Sequence, residues 1–130
     1  MTLPERQILG YCLERGRIPT CVAAVDPAAW SGPMSLLLEV LNEWQSQGAT
    51  WLPTDLWEWV HGDARLSRLI DATAVLVAPL SAPWDLEGVE VCCGVVTKAH
   101  RRIVAALRAA EAREVWEWRW RVEAAARMAA

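Results

Sequence analysis

The chain has 130 residues, 54% of them apolar, which is enough for one domain with its own core and too apolar for a disordered polymer. Thirteen Lys and Arg against 16 Asp and Glu leave a net charge of −3, so no chain-wide basic surface exists to neutralise a phosphate backbone. The cysteines, Cys12, Cys21, Cys92 and Cys93, contain no C-x-x-C pair, and His61 and His100 lie far apart, so zinc-type spacing is absent and reduced, buried thiols are expected.

The N-terminus lacks a charged stretch followed by an apolar one, and no apolar run approaches the ~18 residues that would span a bilayer. A soluble, cytoplasmic protein without membrane contact is the expectation. Thr2-Leu3-Pro4-Glu5 has the form of a capping box, with Thr2 as N-cap and Glu5 reaching back to it. Ile8, Leu9, Cys12 and Leu13 then make one helical stripe that Gly16 ends. Pro19 opens a short second helix through Val25, stopped by Asp26-Pro27 because the residue before proline disfavours the α region. Ala28 to Pro33 is a loop carrying one large anchor, Trp30. Beyond it Met34, Leu37, Leu38, Leu41 and Trp44 share a helical face, with Gly48 as a stop. Pro53-Thr54-Asp55 starts a helix with Leu56, Trp59 and Val60 on its apolar side. Gly62-Asp63 separates this from a helix over Ala64 to Val77 bearing Leu66, Leu69, Ile70, Thr73, Leu76 and Val77, and Pro79 and Pro83 close it.

From Trp84 to the C-terminus there is no proline, and the only glycines, Gly88 and Gly94, lie near the start. A helix over this whole run would be on the order of 65 Å long at about 1.5 Å per residue. Val89, Cys92, Val96, Ala99, Ile103, Ala106 and Ala110 follow alternating steps of three and four, the seam of a bundle or coiled-coil helix. A second seam starts one residue late at Val115 and continues through Trp118, Val122, Ala125 and Ala129. Glu111 to Glu114 is therefore either a turn back or a point where a continuous helix rotates its apolar face by about 100°. Trp116 to Val122 alternates like a strand, but Arg113, Glu117 and Arg121, and Arg119, Glu123 and Arg127, lie four apart in ladders that only a helix can form. Trp116 and Trp120 share one helical face while Trp118 and Val122 take another, so at least one tryptophan face is expected to be exposed in a monomer, as interface residues are, although in a chain without Phe some of these Trp serve as core filler.

These patterns predict an all-α protein: a compact multi-helix globular head over residues 1–83, then a long helix or helical hairpin over 84–130. The partner surface is assigned to Val89, Cys92, Val96, Ile103, Leu107, Val115, Trp116, Trp118, Trp120 and Val122. Lys98, Arg101, Arg102 and Arg108 form a basic patch that could meet an acidic protein surface or a DNA backbone. No phosphate-binding glycine loop, nucleotide-binding G-x-G-x-x-G, G-x-S-x-G or H-E-x-x-H motif occurs. Asp55, Glu58, His61 and Asp63 cluster in sequence, and Glu58 with His61 at i, i+3 has the spacing of a metal pair, yet such residues are far more often the solvated face of a helix and its cap. No catalytic, cofactor or metal residue is assigned. An alternative is a DNA-binding helix-turn-helix over residues 53–77, for which the second helix offers only Arg65 and Arg68.

The order of segments resembles the N-terminal domain of replicative DnaB-type helicases. Pro4-Glu5-Arg6-Gln7-Ile8-Leu9-Gly10 is similar to that family's E-x-x-x-L-G opening. Asp26 to Pro33, followed by Leu36 to Trp44, resembles its P-E-D-F-Y-x-P-x-H loop and I-F-x-A-I-x-x-L helix, with Trp30 in place of Phe. Trp51 to Val60 is similar to V-D-x-x-T-L-x-x-x-L, Leu69 to Pro79 to Y-L-x-x-L-x-x-x-x-P, and Cys92 to Ile103 to Y-A-x-I-V-x-x-K-x-x-R-R, with Lys98, Arg101 and Arg102 in register. The similarity covers about residues 3–110. It lacks the family's loop histidine and Gly-Gly pair, and Glu111 to Trp116 stands where the family has a Gly/Pro-containing hairpin loop. What the resemblance implies is a helical head with a dimerising helical element, a homodimer or higher oligomer that docks a helicase, primase or helicase loader, with nucleic acid at most an indirect partner. The family's motor domain has no counterpart here, so helicase activity is not implied. A free-standing relative from a phage or mobile element, or an excised domain, is expected.

Overall fold

Seven α-helices and two short 3-10 turns make up the described residues, 1–129, of the computed structural model, and none of these residues lies in a strand. The helices are α1 (Leu3–Arg15), α2 (Thr20–Ala23), α3 (Gly32–Ser46), α4 (Pro53–His61), α5 (Ala64–Leu69), α6 (Ala72–Val77) and α7 (Leu86–Ala129); the 3-10 turns are Pro27–Ala29 and Ala78–Ser81. Most starts follow from one local rule, in which a short polar side chain accepts an otherwise orphaned amide of the first turn. Thr2 caps α1, Ser31 caps α3, Asp63 caps α5 and Asp71 caps α6. At α4 the roles reverse, and Asp55 Oδ2 accepts from the amide of Leu52 at 2.7 Å.

Residues 1–97 form one compact unit. Its core joins Ile8, Leu9, Cys12 and Leu13 of α1 to Met34, Leu37 and Leu41 of α3, Leu56 and Val60 of α4, and Val75 of α6. All of these are 0–1% exposed, and each buried aliphatic side chain contributes about 1.5–3 kcal/mol. Trp51 spans from the α3–α4 connection to α1, where its Nε1 donates to the carbonyl of Cys12 at 3.0 Å. Gly10 is required by the closeness of α1 to the second 3-10 turn, because a Cβ there would collide with the carbonyl of Ala78. Gly16 ends α1 in the left-handed region at φ 68°, where any other L residue is strained.

Glu5 is the one charged residue among the buried core positions. Its Oε1 accepts from the amide and hydroxyl of Thr2, at 2.9 and 3.0 Å, and its Oε2 accepts from the amide of Ser31 at 2.8 Å. The predicted capping box is thus present, and the second oxygen also ties the start of α1 to the N-cap of α3.

Three expectations change. The single helix over Ala64 to Val77 is two helices, α5 and α6: Ile70 is extended (φ −128°, ψ 126°) with a buried side chain, and Asp71 caps a fresh helix. The short second helix ends at Ala23 rather than Val25. The compact unit ends at Thr97 and not at Pro83, because Val89, Cys92, Cys93 and Val96 at the start of α7 are buried in its core. The open question at Glu111 to Glu114 closes as well, since these residues are helical within an unbroken α7. The second unit begins at Lys98 and is the remainder of that helix.

Candidate functional site

None of residues 98–129 is buried. On this part of α7, Ile103, Leu107, Val115, Trp116, Trp118, Trp120 and Val122 are 47–66% exposed, which for seven large apolar side chains on one helix is far from a solvated norm. At 100° per residue Val115, Trp118 and Val122 share one face and Trp116 and Trp120 another. Of the ten residues assigned to a partner surface, these seven remain available. Val89, Cys92 and Val96 do not: they are 0%, 8% and 7% exposed and pack within the first unit, so the seam that periodicity revealed there is core.

Two of the four rungs expected in the charge ladders form, Arg113 to Glu117 at 3.5 Å and Arg127 to Glu123 at 4.0 Å. Among the described residues Arg119 and Arg121, which flank Trp120 and follow Trp118, enter no ion pair. Lys98, Arg101, Arg102 and Arg108 are all exposed on α7. Charge is distributed unevenly along the chain. Residues 1–97 carry five Arg against twelve Asp and Glu, a net of −7, whereas residues 98–130 carry eight Lys and Arg against four Glu, a net of +4.

A groove of about 330 Å³ runs between α2, the turn that follows it and α3. Ile18, Val22, Val25 and Leu38, all buried, give it an apolar floor, and Ser35 and Glu39 on α3 give it a polar rim. Trp30, predicted as a loop anchor, lines the same groove and is only partly buried. This groove was not legible in the sequence, because its lining comes from three segments that no single periodicity connects. Leu80 and Trp84, 87% and 96% exposed, are further large apolar side chains outside the assigned surface; the apolar Pro79-to-Trp84 stretch, broken by two prolines and unable to join a helix stripe, is the signal that could have found them.

Of the residues considered for chemistry, Asp55, His61 and Asp63 have local structural partners. Asp55 caps α4, Asp63 accepts from the amide of Arg65 at 2.8 Å and pairs with its guanidinium at 3.6 Å, and the His61 ring stacks on Trp57 at 4.7 Å. No three His, Cys, Asp or Glu among the described residues are arranged to hold a metal ion. The thiols of Cys12, Cys21 and Cys93 lie near one another in the first unit. Burial, and then the neighbouring thiols, push Cys12 and Cys93 up to about 12, far from a reactive thiolate at neutral pH. For the helix-turn-helix alternative, the helix that would enter the groove of DNA is α5, only six residues long, with Arg65 held by Asp63. No helix among the described residues is long and apolar enough to cross a membrane.

Comparison with protein-family models, with curated proteins and with solved structures finds no match to this chain.

Proposed function

We propose that the chain is a non-enzymatic protein-interaction module of DNA replication, which self-associates and docks a replicative helicase, primase or helicase loader through α7. One observation carries the interaction reading: the seven large apolar side chains from Ile103 to Val122 stand exposed on a helix that buries nothing beyond Thr97. Three tryptophans in five residues are costly to leave in water, and tryptophan is the residue type most enriched among binding hot spots. The replication setting is supported by the ordered motifs from Glu5 to Arg102 that resemble the helicase N-terminal domain. An all-helical head followed by a long C-terminal helix agrees with that resemblance.

The test is light scattering of the full chain over a concentration series, together with capture assays using purified helicase, primase and loader. A molar mass that rises with concentration, or saturable binding to one of the three, is the expected result. A monomer at every concentration that binds none of them overturns the proposal.

A further inference from the structure

We infer that α7 of one copy docks, through Val115, Trp118, Val122 and Arg121, into the α2–α3 groove of a second copy, so that the chain assembles head to tail. This rests on the self-association proposed above and specifies its geometry.

Val115, Trp118 and Val122 stand at i, i+3 and i+7, the spacing by which an amphipathic helix fills an apolar groove. The groove meets that pattern with an apolar floor of Ile18, Val22, Val25 and Leu38. Its volume of about 330 Å³ lies at the lower end of the range for binding pockets, suited to one or two large side chains rather than to an extended ligand. Polar chemistry matches as well. Arg121 follows Trp118 by one helical turn and has no ion-pair partner among the described residues, while Glu39 is an exposed carboxylate on the groove rim. Charge selects the occupant. The unit that holds the groove carries −7 and the segment that holds the tryptophans carries +4, so each attracts the other unit of a second copy and repels its own kind. Tail-to-tail pairing would instead bring two +4 segments together.

A heterologous interface of this kind leaves one free groove and one free helix on every dimer, so growth continues until a ring closes or a filament forms. Two full-chain variants separate this from tail-to-tail pairing: Trp118→Ala with Val122→Ala, which removes the anchors, and Ser35→Trp, which fills the groove. The exposed rim change Glu39→Arg serves as a second groove variant should the first not fold. In sedimentation velocity the wild type is expected to form species larger than a dimer, and each variant alone to associate at least ~30-fold more weakly, the scale of a tryptophan hot spot. An equimolar mixture of anchor and groove variants retains one intact interface per pair and should give a 1:1 heterodimer that grows no further. Groove variants that self-associate like the wild type, or a mixture that stays monomeric while the wild type assembles, would overturn the head-to-tail geometry and leave self-association standing. A wild type that is monomeric throughout would overturn both.

Discussion

Replacing Glu5 by alanine should cost about 3 kcal/mol, although only one carboxylate is lost. In the native chain that carboxylate accepts three hydrogen bonds, two from Thr2 and one from Ser31. Thr2 is exposed, so water takes over its amide and hydroxyl and the loss there is that of a cap, about 1 kcal/mol. The Ser31 amide sits partly buried against α1 and loses a charge-assisted partner, about 1.5–3 kcal/mol. Against a total stability of roughly 5–15 kcal/mol this is large, and with a urea slope of about 1–3 kcal/mol/M the midpoint should fall by about 1–3 M at pH 7. The pH dependence carries a second signature. Burial alone would raise the Glu5 pKa, but the amides and hydroxyls of Thr2 and Ser31 outweigh it and hold the carboxyl below its ordinary 4.5. A depressed folded-state pKa means that the contribution is complete above 4.5 and is lost as pH falls through the folded value. Glu5→Gln, which keeps the shape and loses the charge, should flatten the stability of the chain below pH 4.5. A midpoint shift under about 0.3 M for Glu5→Ala, or an unchanged acid limb for Glu5→Gln, would refute the account of Glu5 as the tie between α1 and α3.

Leu41→Ala, at a fully buried position of α3, should lose about 2–5 kcal/mol in the same urea experiment, whereas Trp118→Ala in dilute solution should stay within about 0.5 kcal/mol of the parent. Gly10→Ala should destabilise by more than about 1 kcal/mol, because the new Cβ meets the backbone of Ala78 and neither helix nor turn can yield cheaply; a neutral outcome by thermal melting would show that the two segments are not in contact. With iodoacetamide near pH 8, half-exposed Cys21 should be the first thiol labelled, and Cys12 and Cys93, pushed up to about 12, should react only on unfolding. Peptide mapping that finds Cys12 labelled as fast as Cys21 would contradict the burial of the thiol cluster.

What the sequence disclosed and what it hid divide along the range of the interactions. The Thr2 box, the Asp55 start and the Gly16 stop depend on residues two to four positions apart, so they could be read directly, whereas Ser31, placed in a loop by its neighbours, proves to be the N-cap of α3. The break at Ile70 could not, because its extended backbone follows from a buried side chain, although Asp71 two residues before Thr73 was a visible cap signal for a second helix. Periodicity found the apolar seam of α7 but is silent on what covers a seam. Val89, Cys92 and Val96 turned out to be covered by the chain itself, and Ile103 to Val122 not. The groove beside Trp30 was beyond reach for the same reason, since Val22 and Leu38 become neighbours only after folding. Charge asymmetry, in contrast, was present in the sequence all along and acquired meaning only once the boundary at Thr97 was known.

The unburied stretch of α7 also bears on how long the molecule survives. None of residues 98–129 is buried, so this part of the helix rests on its alanines and on ion pairs worth some tenths of a kcal/mol each. Beyond Thr97 the helix carries eight lysines and arginines, so every local opening offers a trypsin-like protease a cut site. Amide exchange there should be fast in dilute protein and slow in an assembled one, and proteolysis should follow the same order. Copies that find a partner would persist and solitary ones would be trimmed, which makes the half-life of the chain a readout of its occupancy.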